Sequence, residues 1–414
     1  MRTKSLHLLG RLAALGVVAV TTTWANSAKA DECSSLSHPL VVAGSSAVKP
    51  FMALLGQALA AATPSISLIY ASPGSCAGQD SYFTGTGLTG SPTIYNAAGA
   101  ANLTCTITAA EGLPIDIAIS DVFDETCPQS EAPSGVKDFH GPVQSMVFAV
   151  SKNSTQHLIS AEAAYLTFGL GMDGDTNWND ETQIFVRNAS SGTQQMIAAA
   201  IGVPAGKFKG VSTDGAGIQT GLGTAGGNPD LEDIAIGILG MDVVRKPGVG
   251  AIGDYVPLAY QHYGQTAAYY PSSDFASNDM QNTRDGHYAI QGPVHMFTKV
   301  NGSGVPTNAD AKKFIDYMTG AVIPTSFDLV HLESTLSIVP DCAMRVTRDA
   351  EIGPLMSYMP PVSCECKWLF EVGSDLPAEC GSCDPANNDD NGVNTQDCSD
   401  ASRQHCNYGY CEVQ

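Results

Sequence analysis

Four times this chain runs through a short apolar stretch, breaks into a loop of small polar residues and in most cases turns helical. That alternation restricts the fold more than any other feature. Leu40 to Gly44 breaks into Ser45-Ser46-Ala47, and Pro50 then opens a segment with apolar residues at Phe51, Leu54, Leu55, Ala58, Leu59 and Ala62, which is helical spacing. Ser65 to Ala71 alternates like a strand and ends in Gly74-Ser75-Cys76-Ala77-Gly78. Ile115 to Ile119 reads as a buried strand ending in Ser120-Asp121. Gln183 to Val186 runs into Arg187-Asn188-Ala189-Ser190-Ser191-Gly192-Thr193, followed by an Ala-rich helix that stops at Gly202 with Pro204 just beyond. Strands alternating with helices predict an α/β chain, and in open α/β sheets ligands gather beyond the carboxyl ends of the strands.

The Arg187 to Thr193 run carries the most chemistry. A helix start has unpaired N–H donors and the positive end of the helix dipole, so it favours an anion. A guanidinium beside it selects for forked oxygen geometry, as in an oxyanion. The four strand ends together deliver Ser46, Ser75, Asp121 and the Arg187, Ser191 and Thr193 group. Taken singly, each Ser reads as a loop or cap residue.

On these residues the chain resembles the phosphate-binding proteins of ABC importers, members of the type II periplasmic binding-protein family. Gly44-Ser45-Ser46-Ala47-Val48-Lys49-Pro50 looks like the family's first loop. Gly74-Ser75-Cys76-Ala77-Gly78 looks like its Gly-Ser-Ser-Gly-Gly loop, and Ile119-Ser120-Asp121 like its Ala-Ser-Asp turn. Arg187 through Thr193 matches its Arg-x-x-x-Ser-Gly-Thr element in spacing. The resemblance extends over roughly residues 40–341 and implies a two-lobed α/β fold with the ligand in the interlobe cleft. The ligand shell it implies is Ser46, Ala47 through its backbone N–H, Ser75, Asp121, Arg187, Ser191, Gly192 and Thr193. In that shell Asp121 would accept the proton that phosphate keeps near neutrality, whereas sulfate has none to offer. The sequence departs from the family at Ala189, where an Asp commonly pairs with the binding Arg; at Ala47, where the residue is usually larger; at Cys76, where Ser is usual; and in an extra segment of about thirty residues between Gln79 and Leu113.

The first thirty residues read as a secretory signal: Arg2, Lys4 and Arg11 precede an apolar run, Leu12 to Val20, and Ala28-Lys29-Ala30 offers a cleavage site. The run falls short of the roughly 20 residues a membrane span needs. A periplasmic or extracellular destination follows. All 12 cysteines lie beyond that segment, an even number that predicts disulfides in an oxidising compartment without fixing their pairing. Cys33, Cys76, Cys105 and Cys127 lie in the first lobe, and Cys342 precedes seven more in the last segment. A zinc cluster at Cys364-x-Cys366 and Cys380-x-x-Cys383 is the rival reading. The last segment, residues 360–414, is rich in Asn, Asp and Gly and poor in large apolar residues, so it is expected to depend on bridges.

The domain expectation is a signal at 1–30, one lobe from 31–145 and 298–359, a second from 146–297, and the Cys-rich tail. The formal charge of −21 becomes about −25 once Arg2, Lys4, Arg11 and Lys29 are removed, which argues against nucleic acid or anionic membrane as partner. No Gly-x-Ser-x-Gly elbow, His-Glu-x-x-His or P-loop occurs, and the nine His show no ligand spacing. The expectation is therefore a non-enzymatic exported binding protein with no cofactor or metal, capturing phosphate or a similar oxyanion, with an ABC permease as a possible partner. The alternative is an extracellular recognition or surface protein that uses the Cys-rich tail for attachment.

Overall fold

The computed structural model describes residues 32–95, 103–128, 131–174, 176–244, 253–389 and 391–413. The signal segment therefore lies outside the described residues, and among these no helix is long and apolar enough to cross a membrane. In the first half of the chain, β1 (Pro39–Gly44) leads to α1 (Lys49–Ala61), β2 (Ser67–Ala71), α2 (Ser75–Phe83), β3 (Thr93–Ile94), β4 (Leu103–Thr104), β5 (Ile117–Ser120) and the long β6 (Val136–Ser151). There follow β7 (Ile184–Val186), α3 (Gly192–Ile201), β8 (Val211–Ser212), α4 (Gly215–Ala225), β9 (Ile236–Gly240), α5 (Met241–Val244), β10 (Tyr255–Pro257) and β11 (Gln291–Lys299). The chain then forms α6 (Ala309–Met318), α7 (Leu329–Ser334) and α8 (Glu365–Glu371), and closes with the hairpin β12 (His405–Asn407) and β13 (Tyr410–Glu412).

An 11-stranded sheet runs in the order β4-β3-β2-β1-β5-β11-β6-β9-β7-β8, with β10 pairing β6. It contains two similar halves. In one, β2, β1 and β5 are parallel and β11 lies antiparallel beside β5. In the other, β8, β7 and β9 are parallel and β6 lies antiparallel beside β9. In each half the chain leaves a central strand to one side and returns on the other, which creates a switch point at the carboxyl ends of β1 and β7. β6 and β11 pair with each other between the halves and carry the chain from one to the other. The result is an α/β, two-lobed fold with a disulfide-rich C-terminal segment.

Alternation along β1 and β2 explains why the first lobe buries both sheet faces. Leu40, Val42, Leu68 and Tyr70 join a core with Phe51, Leu55 and Leu59 of α1 and with Phe314 and Ile315 of α6. Val41 and Ile69 point the other way, into a small cluster with the Cys33–Cys105 disulfide. That bridge ties the chain's early residues to the extra segment, whose β3 and β4 extend the sheet edge beyond β2. A second bridge, Cys76–Cys127, pins α2 to the loop after β5. The second lobe packs Phe148, Phe168, Ile184, Ile197, Ile201, Ile218 and Ile238 around β6, β7 and β9.

All twelve cysteines are in disulfides, so the zinc reading of the Cys-rich segment is overturned. Three bridges lie within that segment, Cys366–Cys380, Cys383–Cys406 and Cys398–Cys411, and Cys342–Cys364 joins it to the body. Bridges are not its sole support. Trp368 on α8 is fully buried in the second lobe's core, and its indole N–H donates to the carbonyl of Asp279 at 3.0 Å. Glu365 accepts from the buried Arg284 at 3.1 Å and also pairs with Arg345. One large aromatic and one ion-pair cluster thus dock a segment whose composition suggested no core. Trp368→Ala is expected to cost the whole protein about 3–5 kcal/mol in chemical denaturation; an unchanged main transition would mean that the segment folds independently.

Candidate functional site

The loops after β1, β2, β7, β8 and β9 meet in a cleft of about 500 Å³ between the lobes. Ser46, Ala47, Lys49, Gly74 and Tyr95 line it from the first lobe. Arg187, Ser191, Asp214 and Asp242 line it from the second. Of the eight residues expected at a site, Ser46, Ala47, Arg187 and Ser191 border the cleft. Ser75, Asp121, Gly192 and Thr193 are buried immediately behind it. Gly192 opens α3 against Ser75 and Asp121. A Cβ at this position would lie 2.5 Å from Asp121 Oδ2 and 2.8 Å from Asp121 Cβ, so only glycine lets the second lobe's helix approach the first lobe this closely.

Arg187 leaves the end of β7 and reaches across the cleft, where its Nη2 donates to Ser46 Oγ at 2.7 Å. Its Nε is buried with no hydrogen-bond partner. Thr193 Oγ1, in the first turn of α3, is likewise buried and unpartnered. The N-cap of α3 is Ser191, whose side chain makes no capping bond. A second interlobe hydrogen bond joins the N–H of Cys76 to the carbonyl of Ser190 at 3.1 Å.

Asp121 is held from two sides. Ser45 Oγ donates to its Oδ1 at 2.5 Å, and Ser75 Oγ donates to its Oδ2 at 3.0 Å. Sequence reasoning took Ser46 as the functional hydroxyl of the first loop and passed over Ser45. The loop divides the work: Ser45 is buried and faces Asp121, while Ser46 faces Arg187. The N–H of Ala47, expected to bind an ion, donates to Ser45 Oγ at 3.0 Å, so an ion taken up there must share that donor. Burial raises the Asp121 carboxyl above its usual range, although the Ser45 and Ser75 hydroxyls and the Arg187 charge oppose the rise.

Asp242, in the short helix α5 that follows β9, is not singled out by the sequence. It is buried, and although backbone N–H groups of residues 242 and 243 approach its carboxylate, neither oxygen has a hydrogen bond of good geometry. Burial and then the nearby Asp121 push its carboxyl well above the ordinary range. Burial lowers Arg187 from its ordinary value, while Asp121, Asp214 and Asp242 hold it up. Asp214, and Asp242 when it ionises, thus bring to Arg187 the negative charge that Ala189 cannot supply. Only their tertiary placement reveals this, because Asp214 at the start of α4 and Asp242 in α5 are both distant in sequence from Arg187.

No protein-family model matches the chain, and no curated protein matches it in sequence. Among solved structures it is similar to a substrate-binding protein with bound phosphate from Clostridium perfringens, with 14% identity over 73% of this chain and 99% of that one and a TM-score of 0.48. It is also similar to an ABC-type phosphate transport receptor from Vibrio cholerae, with 14% identity over 72% and 99% of the two chains and a TM-score of 0.45. Likeness at this level says nothing about the ligand, which has to be read from the cleft itself.

Asp242 has a pH signature. A carboxyl whose folded pKa is raised adds stability that is complete below its unfolded value, about 3.9, and is lost as pH rises through the folded value. Asp242→Asn removes that loss. In ligand-free protein the variant is expected to match the parent in melting temperature near pH 4 and to exceed it increasingly toward pH 8. A melting temperature difference that does not grow with pH would mean that Asp242 is stabilised as the anion.

Proposed function

We propose that the protein captures inorganic phosphate, or a closely similar tetrahedral oxyanion, in the interlobe cleft of an exported binding protein that serves an ABC importer. One observation carries the reading. Two buried donors have no protein partner: Thr193 Oγ1 in the first turn of the uncapped α3, whose Gly192 touches the other lobe, and Arg187 Nε, on a side chain that leaves the end of β7 and lines the cleft. Orphaned buried donors are costly, and a desolvated oxyanion would satisfy them while taking the helix dipole's favourable end. Ser46 and Ser191 would complete the shell in place of the water the ion gives up.

Asp121 supplies the discrimination. Each of its oxygens already accepts one hydroxyl, and each keeps a lone pair free. Monohydrogen phosphate can donate its proton there, while sulfate would bring a second acceptor against an acceptor. The excess of carboxylates near Arg187 reinforces the preference for a ligand that carries a proton. The six disulfides fit a periplasmic or extracellular protein. Closure would be a hinge motion of β6 and β11, driven by contacts available only when Arg187 and Ser46 share the ion.

Calorimetric titration of ligand-stripped protein with phosphate, arsenate, sulfate and molybdate tests the reading. Phosphate and arsenate are expected to bind and sulfate to be refused. Arg187→Ala is expected to weaken phosphate by about 100-fold or more, the scale of a lost charge-assisted hydrogen bond in a buried site. Asp121→Asn should narrow the phosphate-to-sulfate preference by about 10-fold or more. No heat from any of the four ions, or sulfate bound as well as phosphate, would refute the proposal.

A further inference from the structure

The two strands that carry the chain between the lobes hold a second cluster of titratable side chains, none of which lines the interlobe cleft. Asp138 and His140 are two residues apart on β6, so their side chains leave the same face of the sheet. β11 runs antiparallel beside them with His295 directly opposite His140 and Phe297 opposite Asp138. The register slips between Pro293 and His295, a bulge that ends the regular ladder next to the cluster. A cross-strand pair on one face stands about 5 Å apart at Cβ, close enough for two imidazoles to share one ligand. The nine His read as scattered in the sequence because this pairing joins residues from two distant strands.

The side chains converge. Asp138 Oδ2 lies 2.7 Å from His295 Nδ1 and 3.2 Å from His140 Nε2, and the two imidazole centroids are 4.8 Å apart. One carboxylate oxygen therefore serves both rings. The other, Oδ1, is buried with no hydrogen-bond partner, as is His295 Nε2. His295 is fully buried, with Phe123 edge-on at 4.3 Å and Phe297 stacked at 6.1 Å, while His140 and Asp138 are part-exposed. His140 also borders a separate cavity of about 270 Å³, together with Gln291, Asp341, Thr347, Arg348 and Tyr358. A cluster of three donors with an idle oxygen is poorly explained as a plain hydrogen-bond network, which would leave neither Oδ1 nor Nε2 orphaned.

We propose that Asp138, His140 and His295 form a binding site for a first-row divalent transition cation, zinc above all, that fastens the two hinge strands together. Around zinc, imidazole nitrogen and carboxylate oxygen sit at about 2.0–2.2 Å, so adjacent donors of a tetrahedral site are about 3.3 Å apart. The observed 2.7 and 3.2 Å separations approach that edge and need only a slight outward shift of His295. Two imidazoles and one carboxylate suit zinc or cobalt over calcium or magnesium, which prefer all-oxygen shells. Three protein ligands leave a fourth position, and the cavity beside His140 gives it access to water or a small anion. Because the ligands come from both β6 and β11, an occupied site restrains the strands on which lobe closure turns.

The test uses the full exported chain without an affinity tag, stripped of metal by chelator and free of phosphate. Cobalt(II) titration read in the visible d–d region is expected to saturate at one equivalent with the intense absorption of a low-symmetry four- or five-coordinate site. Zinc should displace the cobalt and raise the melting temperature of the parent. His140→Gln and Asp138→Asn, both at part-exposed positions, should each weaken cobalt binding by about 100-fold while keeping the parent's circular dichroism. Absence of a one-to-one cobalt complex in the parent, or equal binding in both correctly folded variants, would overturn the site.

Discussion

The Arg187 guanidinium is buried at the end of β7, and its one hydrogen bond among the described residues reaches the other lobe, to Ser46. The rest of the cleft is arranged around that condition. A charge taken out of water needs compensation, and the second lobe offers it Asp214 and Asp242 while the first offers Asp121. These carboxylates lie near it without forming an ion pair of close contact among the described residues, so the guanidinium retains donors for a ligand. Gly192 lets α3 press directly on Ser75 and Asp121, which brings the helix start, the guanidinium and the acceptor carboxylate to one seam between the lobes.

Much of this arrangement was legible in the sequence because local patterns encode it. The alternation in Leu40–Gly44 and Ser65–Ala71 appears as β1 and β2 with both faces buried, and the Arg187 to Thr193 run appears as a strand end, a turn and an uncapped helix start. Spacing within one loop also brought Ser191, Gly192 and Thr193 to the seam. What stayed hidden depends on packing. Ser45 and Ser46 are indistinguishable in sequence, and only the direction of the loop decides which meets Asp121 and which meets Arg187. Asp242 follows an ordinary Gly-Met pair, and its burial beside Arg187 depends on β9 lying next to β7. Asp138, His140 and His295 come together only through the antiparallel register of β6 and β11.

The Cys-rich segment shows the same division. The chain's even cysteine count pointed to bridges, and six disulfides follow, yet pairing is a property of the fold and not of spacing: the segment's seven cysteines need Cys342 of the body as an eighth. Composition understated its attachment to the body, since a single indole and a single Glu among three Arg are enough to dock it: Trp368 in the core, and Glu365 near Arg284, Arg345 and Arg403. The segment covers part of the second lobe and leaves the cleft, lined by other residues, open to ligand.

The most direct test of the central claim is a crystal structure of the protein grown with inorganic phosphate. The account predicts tetrahedral density at the seam, within hydrogen-bond reach of Arg187, Ser46, Thr193 and the first N–H groups of α3, with one oxygen against Asp121. Saturating phosphate that leaves this seam empty, or that binds elsewhere on the surface while Arg187 keeps Ser46 as its sole partner, would contradict it.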